Sequence, residues 1–258
     1  MQYMIEPHRQ TGHGPFRVEQ LHEKDRYELS DGHSIYCAPA GRDHAYQSLT
    51  GSLVLATDPV AEWSGIDAGY QSDTGTLRAP DIAVGPKPEK DGWIPGAPPL
   101  AVEYASSGQN EAELQDRIAD LLAAGTRYVW VVRLVGPRRV EVYTKDGPLC
   151  VYGADDTLQA PGILRNPVRV QALYERETAH EVVLTNLLQR RGYDSLDAVR
   201  AESEASGEAR ALLTVLEARG IAVSEAEREA ILHCRDLEQL RVWLQRAVVV
   251  DTAAALFK

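Results

Sequence analysis

Two carboxylates dominate the chemical reading of this 258-residue chain. Asp81 sits in the run Arg78-Ala79-Pro80-Asp81-Ile82-Ala83-Val84, and Glu103 in the later run Leu100-Ala101-Val102-Glu103-Tyr104-Ala105. Each run alternates with the period of two that a strand imposes, so Ala79, Asp81 and Ala83 share a face, as do Ala101, Glu103 and Ala105. Each acid therefore stands between two alanines, whose small side chains leave room above the strand. If the two strands pair, the acids converge on one pocket, an oxygen-only arrangement that suits a hard cation such as Mg²⁺. The same alternation also describes carboxylates on the solvated face of an antiparallel sheet, and the pattern leaves both readings open.

These acids must be held by a framework, and the surrounding sequence supplies one. Arg26 to Cys37 reads as a hairpin turning at Asp31-Gly32. Asp43 is placed to cap a helix running to about Ala56, with Ala45, Leu49, Leu53 and Ala56 as its apolar stripe. Gly85 to Pro99 is rich in Pro and Gly and reads as a long hairpin loop. From Asn110 to Ala124, Leu114, Ile118, Leu121 and Leu122 form an amphipathic stripe that Gly125 ends. Arg127 to Val132 is apolar enough for burial on both faces, and Arg139 to Thr144 alternates between turn signals. Short strands at Leu149 to Tyr152 and Val168 to Tyr174 complete an α+β domain.

After Glu175 the chain loses proline altogether and becomes helical. Arg191-Gly192 and Arg219-Gly220 mark two helix ends, and Ser224 with Glu227 forms a capping box; Asp236 with Gln239 repeats that logic. The domains expected are therefore residues 1–174 and a helical segment, 175–258, that docks on the first domain or on a partner chain.

Composition narrows the function. The net charge is −11, with 44% hydrophobic and 25% charged residues, which argues against strong unassisted affinity for DNA. Basic residues are sparse: Arg138-Arg139, Lys145, Arg165 and Arg169, then Arg190-Arg191. No apolar run approaches the roughly 20 residues that span a bilayer. Met1 to His8 lacks the basic and apolar regions of a secretory signal. Cys37, Cys150 and Cys234 are widely spaced and odd in number, suggesting neither disulfides nor a zinc site. A reducing cytoplasm is the compartment expected.

Tyr27-Glu28-Leu29, Pro80-Asp81, Val102-Glu103 and Ala123-Ala124-Gly125-Thr126-Arg127-Tyr128-Val129-Trp130 resemble the Uma2 (DUF820) family over residues 15 to 174. That family is similar in fold to the PD-(D/E)XK restriction-endonuclease superfamily, a mixed sheet flanked by helices. The C-terminal end resembles a helical tail of bacterial nuclease- and transposase-related proteins. The resemblance implies phosphodiester hydrolysis with Mg²⁺ or Mn²⁺ held by Asp81 and Glu103. It places the family's lysine fourteen residues after the glutamate, where this chain has Arg117, and a tyrosine one turn later, where it has Leu121. The E-x-K slot itself holds Ala105. Arginine clamps a phosphate oxygen but stays protonated and is a poor base.

The resemblance also brings Glu28 near the site, where the alternative is a surface glutamate on an edge strand. His44 either assists a leaving group or is simply exposed. Ser106 and Ser107 either bond phosphate or, as capping preferences favour, start the next helix. Trp130 and Trp243 read as core residues. Two functions follow: an endonuclease acting on nucleic acid, DNA first, with the tail for homodimerisation or partner docking; or a nuclease-fold protein kept as a binding or assembly module. A partner-activated toxin or defence effector fits the acidic charge but has no marker of its own.

Overall fold

The computed structural model of the protein describes residues 14–108 and 110–257; the signal reading of Met1 to His8 lies outside the described residues. The chain divides into two compact units, Met1–Leu187 and Leu188–Lys258.

In the first unit, β1 (Tyr27–Ser30) and β2 (His33–Tyr36) pair antiparallel from Tyr27↔Tyr36 to Ser30↔His33. Asp31 and Gly32 both take positive φ, 46° and 74°, as a two-residue turn that matches strand twist requires. Then come α1 (Arg42–Ala56), β3 (Trp63–Gly65), β4 (Tyr70–Gln71), β5 (Leu77–Arg78), β6 (Ile82–Gly85), β7 (Ile94–Pro95) and β8 (Leu100–Ala105). After α2 (Glu111–Ala123) follow β9 (Tyr128–Arg133), β10 (Arg139–Tyr143), β11 (Cys150–Gly153) and later α3 (Arg176–Arg190). One sheet runs β11-β10-β9-β8-β6-β3 and a second runs β2-β1-β5-β4-β7. The β8 and β9 strands are parallel, joined through α2, while β6 and β8 are antiparallel. Sheets flanked by helices are the α+β class expected.

The central strands β6, β8 and β9 of the six-stranded sheet are buried on both faces. Ile82, Val84, Leu100, Val102, Trp130 and Val132 pack against Val54 and Leu55 of α1, and Ala179, Val182 and Val183 of α3 join this core. Ala101, Ala105, Val129 and Val131 lie under Leu114, Ile118 and Leu121 of α2. The α2 stripe is the one the sequence predicts.

The α1 stripe is not. Leu49 and Leu53 are 51% and 46% exposed, and Ala45 and Ala56 also face outward. The buried face is Ser48, Thr50, Gly51, Ser52, Val54 and Leu55. The helix lies so close to the sheet that a Cβ on Gly51 would collide with the Tyr104 hydroxyl, so small residues face inward. Its N-cap is Gly41, with Asp43 in the first turn. The Gly85–Pro99 stretch is likewise more than a loop: β7 pairs parallel with β4, in a strand too short to alternate visibly. Of Val168 to Tyr174 only Val168–Arg169 is extended, and Val170–Leu173 forms a 3₁₀ turn with most of its side chains buried.

In the second unit, α4 (Leu196–Ala218), α5 (Glu225–His233) and α6 (Leu237–Ala247) enclose Ala205, Ala209, Leu212, Leu216, Ile231 and Leu240. Ser224 and Glu227 form the expected capping box, and the Asp236 side chain accepts from the Gln239 amide. Among the described residues, no helix is long and apolar enough to cross a membrane.

Candidate active site

The strand register decides where the two acids meet. The β6–β8 pairing runs Ile82↔Val102 and Ala83↔Ala101. Asp81, one residue before β6, therefore stands beside Glu103 on the same side of the sheet. Asp81 is fixed through both oxygens: its Oδ2 accepts the Tyr104 amide at 2.6 Å, and its Oδ1 lies 3.0 Å from His44 Nε2 on the first turn of α1.

Glu103 is held from the other side. Arg117, on the α2 face between Leu114 and Leu121, donates through Nη1 to Glu103 Oε2 at 2.9 Å and through Nη2 to Glu28 Oε1 at 3.1 Å. Glu28 comes from β1, so this guanidinium ties the two sheets together. Behind it, Arg78 donates to the second Glu28 oxygen at 3.1 Å and to Asp120 Oδ2 at 2.8 Å, and the Ser30 hydroxyl also donates to that Asp120 oxygen. Glu28, Arg78, Asp81 and Glu103 are all buried.

Burial sets the electrostatics. Desolvation pushes the Glu103 carboxyl well above the ordinary range; Arg117 opposes the shift, and Asp81 and Glu28 add to it. Burial works against the charge on Arg117, but Glu103 and Glu28 outweigh it and raise its pKa further, so it is a fixed cation. The Asp81 hydrogen bond raises the His44 imidazole despite burial. Burial, with Asp81 nearby, raises Asp67, and burial beside Glu28 pushes the Cys37 thiol up to about 12. Cys37 is thus not a nucleophile near neutral pH.

These groups border an open cleft of about 730 Å³, lined by Glu28, His44, Asp67, Ala79, Asp81 and Arg117 among others. Glu103 does not line it: the carboxyl sits beneath, 3% exposed, and its Oε1 has no hydrogen-bond partner. Of the alanines expected to leave room, Ala79 borders the cleft while Ala101 and Ala105 are covered by α2.

The structure thus brings Glu28, Asp81, Glu103 and Arg117 together. It adds His44 as a partner of Asp81. Ser106 and Ser107 border the cleft, but the cap of α2 is Asn110, whose side chain accepts from the Ala112 and Glu113 amides. Sequence reasoning misses Arg78 and Asp120. A signal existed: Asp120 follows Arg117 by one helical turn, and Arg78 opens the Asp81 run. Among the described residues, no three His, Cys, Asp or Glu side chains form a group placed to hold a metal. Trp130 is fully buried, and Trp243 packs edge-on to Phe257 in the helical unit.

Comparison with known proteins gives two findings. The model of the Uma2 family, described as "Putative restriction endonuclease", matches residues 16–169. The crystal structure of "a putative nuclease belonging to DUF820" from Anabaena variabilis ATCC 29413 superposes with a TM-score of 0.51 at 20% identity. That alignment covers 62% of this chain and 96% of the other, and at such identity the likeness is one of fold. No curated protein matches the chain.

Proposed function

Since this chain belongs to the Uma2 family of "putative restriction endonuclease" proteins, we propose that it is a divalent-metal-dependent endonuclease acting on nucleic acid, DNA first. The observation that carries this reading is the placement of Asp81 and Glu103 side by side, with one buried Glu103 oxygen unpartnered. An oxygen-only pair fits Mg²⁺ or Mn²⁺, since Mg²⁺ commonly takes one or two carboxylates and fills its remaining positions with water and substrate phosphate. Asp81 and Glu103 would hold the ion. Once bound, it would polarise the phosphate and lower the pKa of an attacking water.

The other residues prepare the site. The Tyr104 amide and His44 fix both Asp81 oxygens, so that carboxylate is oriented in advance. Arg117 supplies permanent positive charge at the wall of the cleft, where it can clamp a phosphate oxygen. Glu28, Arg78 and Asp120 anchor Arg117 from behind.

The test is Mn²⁺ titration by calorimetry alongside plasmid cleavage. Asp81→Asn and Glu103→Gln should each abolish both signals. Cleavage that survives Asp81→Ala would assign the activity to another site or to a contaminant.

One observation favours a second reading, a binding or assembly module without catalysis. Arg117 stands where the family places lysine, and its guanidinium occupies one oxygen each of Glu28 and Glu103. On either reading, the helical unit serves assembly: Val242, Val248 and Val249 are exposed there, and light scattering would measure the resulting mass. Free thiols at Cys37, Cys150 and Cys234 suit a reducing cytoplasm.

A further inference from the structure

The catalytic cleft does not end at Asp81. A second groove, about 640 Å³ and wide open, shares Glu23, Asp67, Gly69 and Trp93 with it and continues past them to Trp63, Lys87 and Lys90. The two tryptophans are seated alike. A Cβ on Gly69 would fall 2.6 Å from the Trp93 ring, and one on Gly65 would fall 2.5 Å from the Trp63 ring. Each indole therefore rests on bare backbone at a glycine and is partly exposed along the groove, while Trp93 also packs against the small core of Val18, Leu21, Leu29 and Leu77. Lys87 and Lys90 stand exposed on the loop that forms the other wall.

Charge decides what such a groove can take. Glu23, Asp67, Glu89 and Asp91 line it beside the two lysines, so the wall is net acidic. A duplex, whose bases are already stacked on each other, would have to be held through its phosphates, and the groove has no basic track for that; an unpaired strand can offset the same repulsion by stacking its bases. Base stacking on aromatic rings does not depend on charge and contributes roughly equally for every base. Two partly exposed indoles with only two cations are a stacking platform with minimal phosphate contact.

We infer that this groove holds an unpaired nucleic-acid strand beside the catalytic cleft, with bases stacked on Trp93 and Trp63 and backbone phosphates near Lys87 and Lys90. The substrate class is then single-stranded or locally unpaired nucleic acid. The inference rests on the nuclease reading for its biological sense, but binding can be measured without cleavage.

The test is fluorescence anisotropy with EDTA present, using a labelled oligothymidine of about a dozen nucleotides, its oligouridine counterpart and the matching duplex. The unpaired strand should bind roughly tenfold more tightly than the duplex, with weak salt dependence, and should quench tryptophan fluorescence. Trp93→Ala and Trp63→Ala should each weaken that binding roughly five- to hundredfold, while Trp→Phe at either site retains most of it. The DNA and RNA arms assign the sugar. If the alanine variants fail to fold, quenching of the native protein and loss of binding in Lys87→Glu with Lys90→Glu decide instead. Equal or tighter duplex binding, or no quenching, overturns the inference. Parallel cleavage assays separate the two claims: strand binding without cleavage ends the nuclease reading alone, and duplex cleavage without strand preference ends the groove reading alone.

Discussion

Arg117 and Glu103 are joined at 2.9 Å, and the same guanidinium reaches Glu28 at 3.1 Å from the other sheet. Removing it leaves two buried carboxylates facing each other with one cation fewer. Arg117→Ala should therefore destabilise the first unit by about 3 kcal/mol in urea unfolding, as expected when one partner of a buried pair is lost. Adding Glu103→Gln should recover part of that loss, because the uncompensated charge disappears with it. A double variant no more stable than Arg117→Ala would mean that the guanidinium acts through packing and not through charge.

Arg117→Lys separates the two functional readings. Lysine is a compact cation whose pKa falls readily when buried, whereas arginine stays charged and forked. It cannot span Glu28 and Glu103 in the same bidentate way. If the fold is catalytically limited only at this position, metal-dependent cleavage should rise in the variant. No cleavage by either protein, measured on the same substrates, would favour the binding module.

His44 and Asp81 make a pH-dependent pair. The imidazole titrates above its ordinary value of 6.5, chiefly because it is hydrogen-bonded to Asp81. A raised folded-state pKa stabilises the fold fully below the unfolded value, and the benefit fades as pH rises through the folded value. Asp81→Asn should move the His44 NMR titration back toward 6.5. The stability gap between wild type and variant should narrow as the solution becomes alkaline. An unmoved titration would show that Asp81 does not control this imidazole.

A second linkage lies on the same face of the sheet, under the start of α2. Arg133 donates to both oxygens of Glu111, at 2.7 and 2.8 Å, and to Glu141 at 2.9 Å. Hydrogen bonds from Arg133 and Gln115 lower the Glu111 carboxyl from 4.5 to about 2. The stabilising effect is complete above 4.5 and disappears as pH falls toward about 2. Glu111→Gln should lower the Tm near neutral pH and leave it unchanged at the acid end. Because Glu111 is more than half exposed, added salt should shrink the difference.

Local signals in the sequence were enough for much of this fold. Asp31-Gly32 fixed its hairpin because a two-residue turn needs positive φ. The α2 stripe was visible because Leu114, Ile118 and Leu121 are large and correctly spaced. The site was legible as far as alternation placed Asp81 and Glu103, since strand pairing then brings them together. The chain of contacts from Ser30 through Asp120 and Arg78 to Glu28 depends on how two sheets meet, which no short-range period encodes. The role of His44 is hidden from the sequence for the same reason: its partner lies 37 residues away.

The α1 helix carries the clearest mismatch between pattern and packing, and it can be tested. Its leucines follow a helical stripe, yet Leu49 and Leu53 face solvent while Gly51 faces Tyr104. Tyr104 is itself fixed, donating through its hydroxyl to the Leu173 carbonyl at 2.8 Å. Gly51→Ala would push a methyl group into that hydroxyl, so either the bond breaks or the helix lifts from the sheet. Overpacking of this kind should cost about 3 kcal/mol, more than the gain in helix propensity returns. Leu49→Gln and Leu53→Gln, by contrast, should change stability by no more than about 0.5 kcal/mol each. Thermal unfolding of the three variants gives the answer: a harmless Gly51→Ala beside damaging Leu49→Gln would put the leucine stripe, and not the small-residue face, against the sheet.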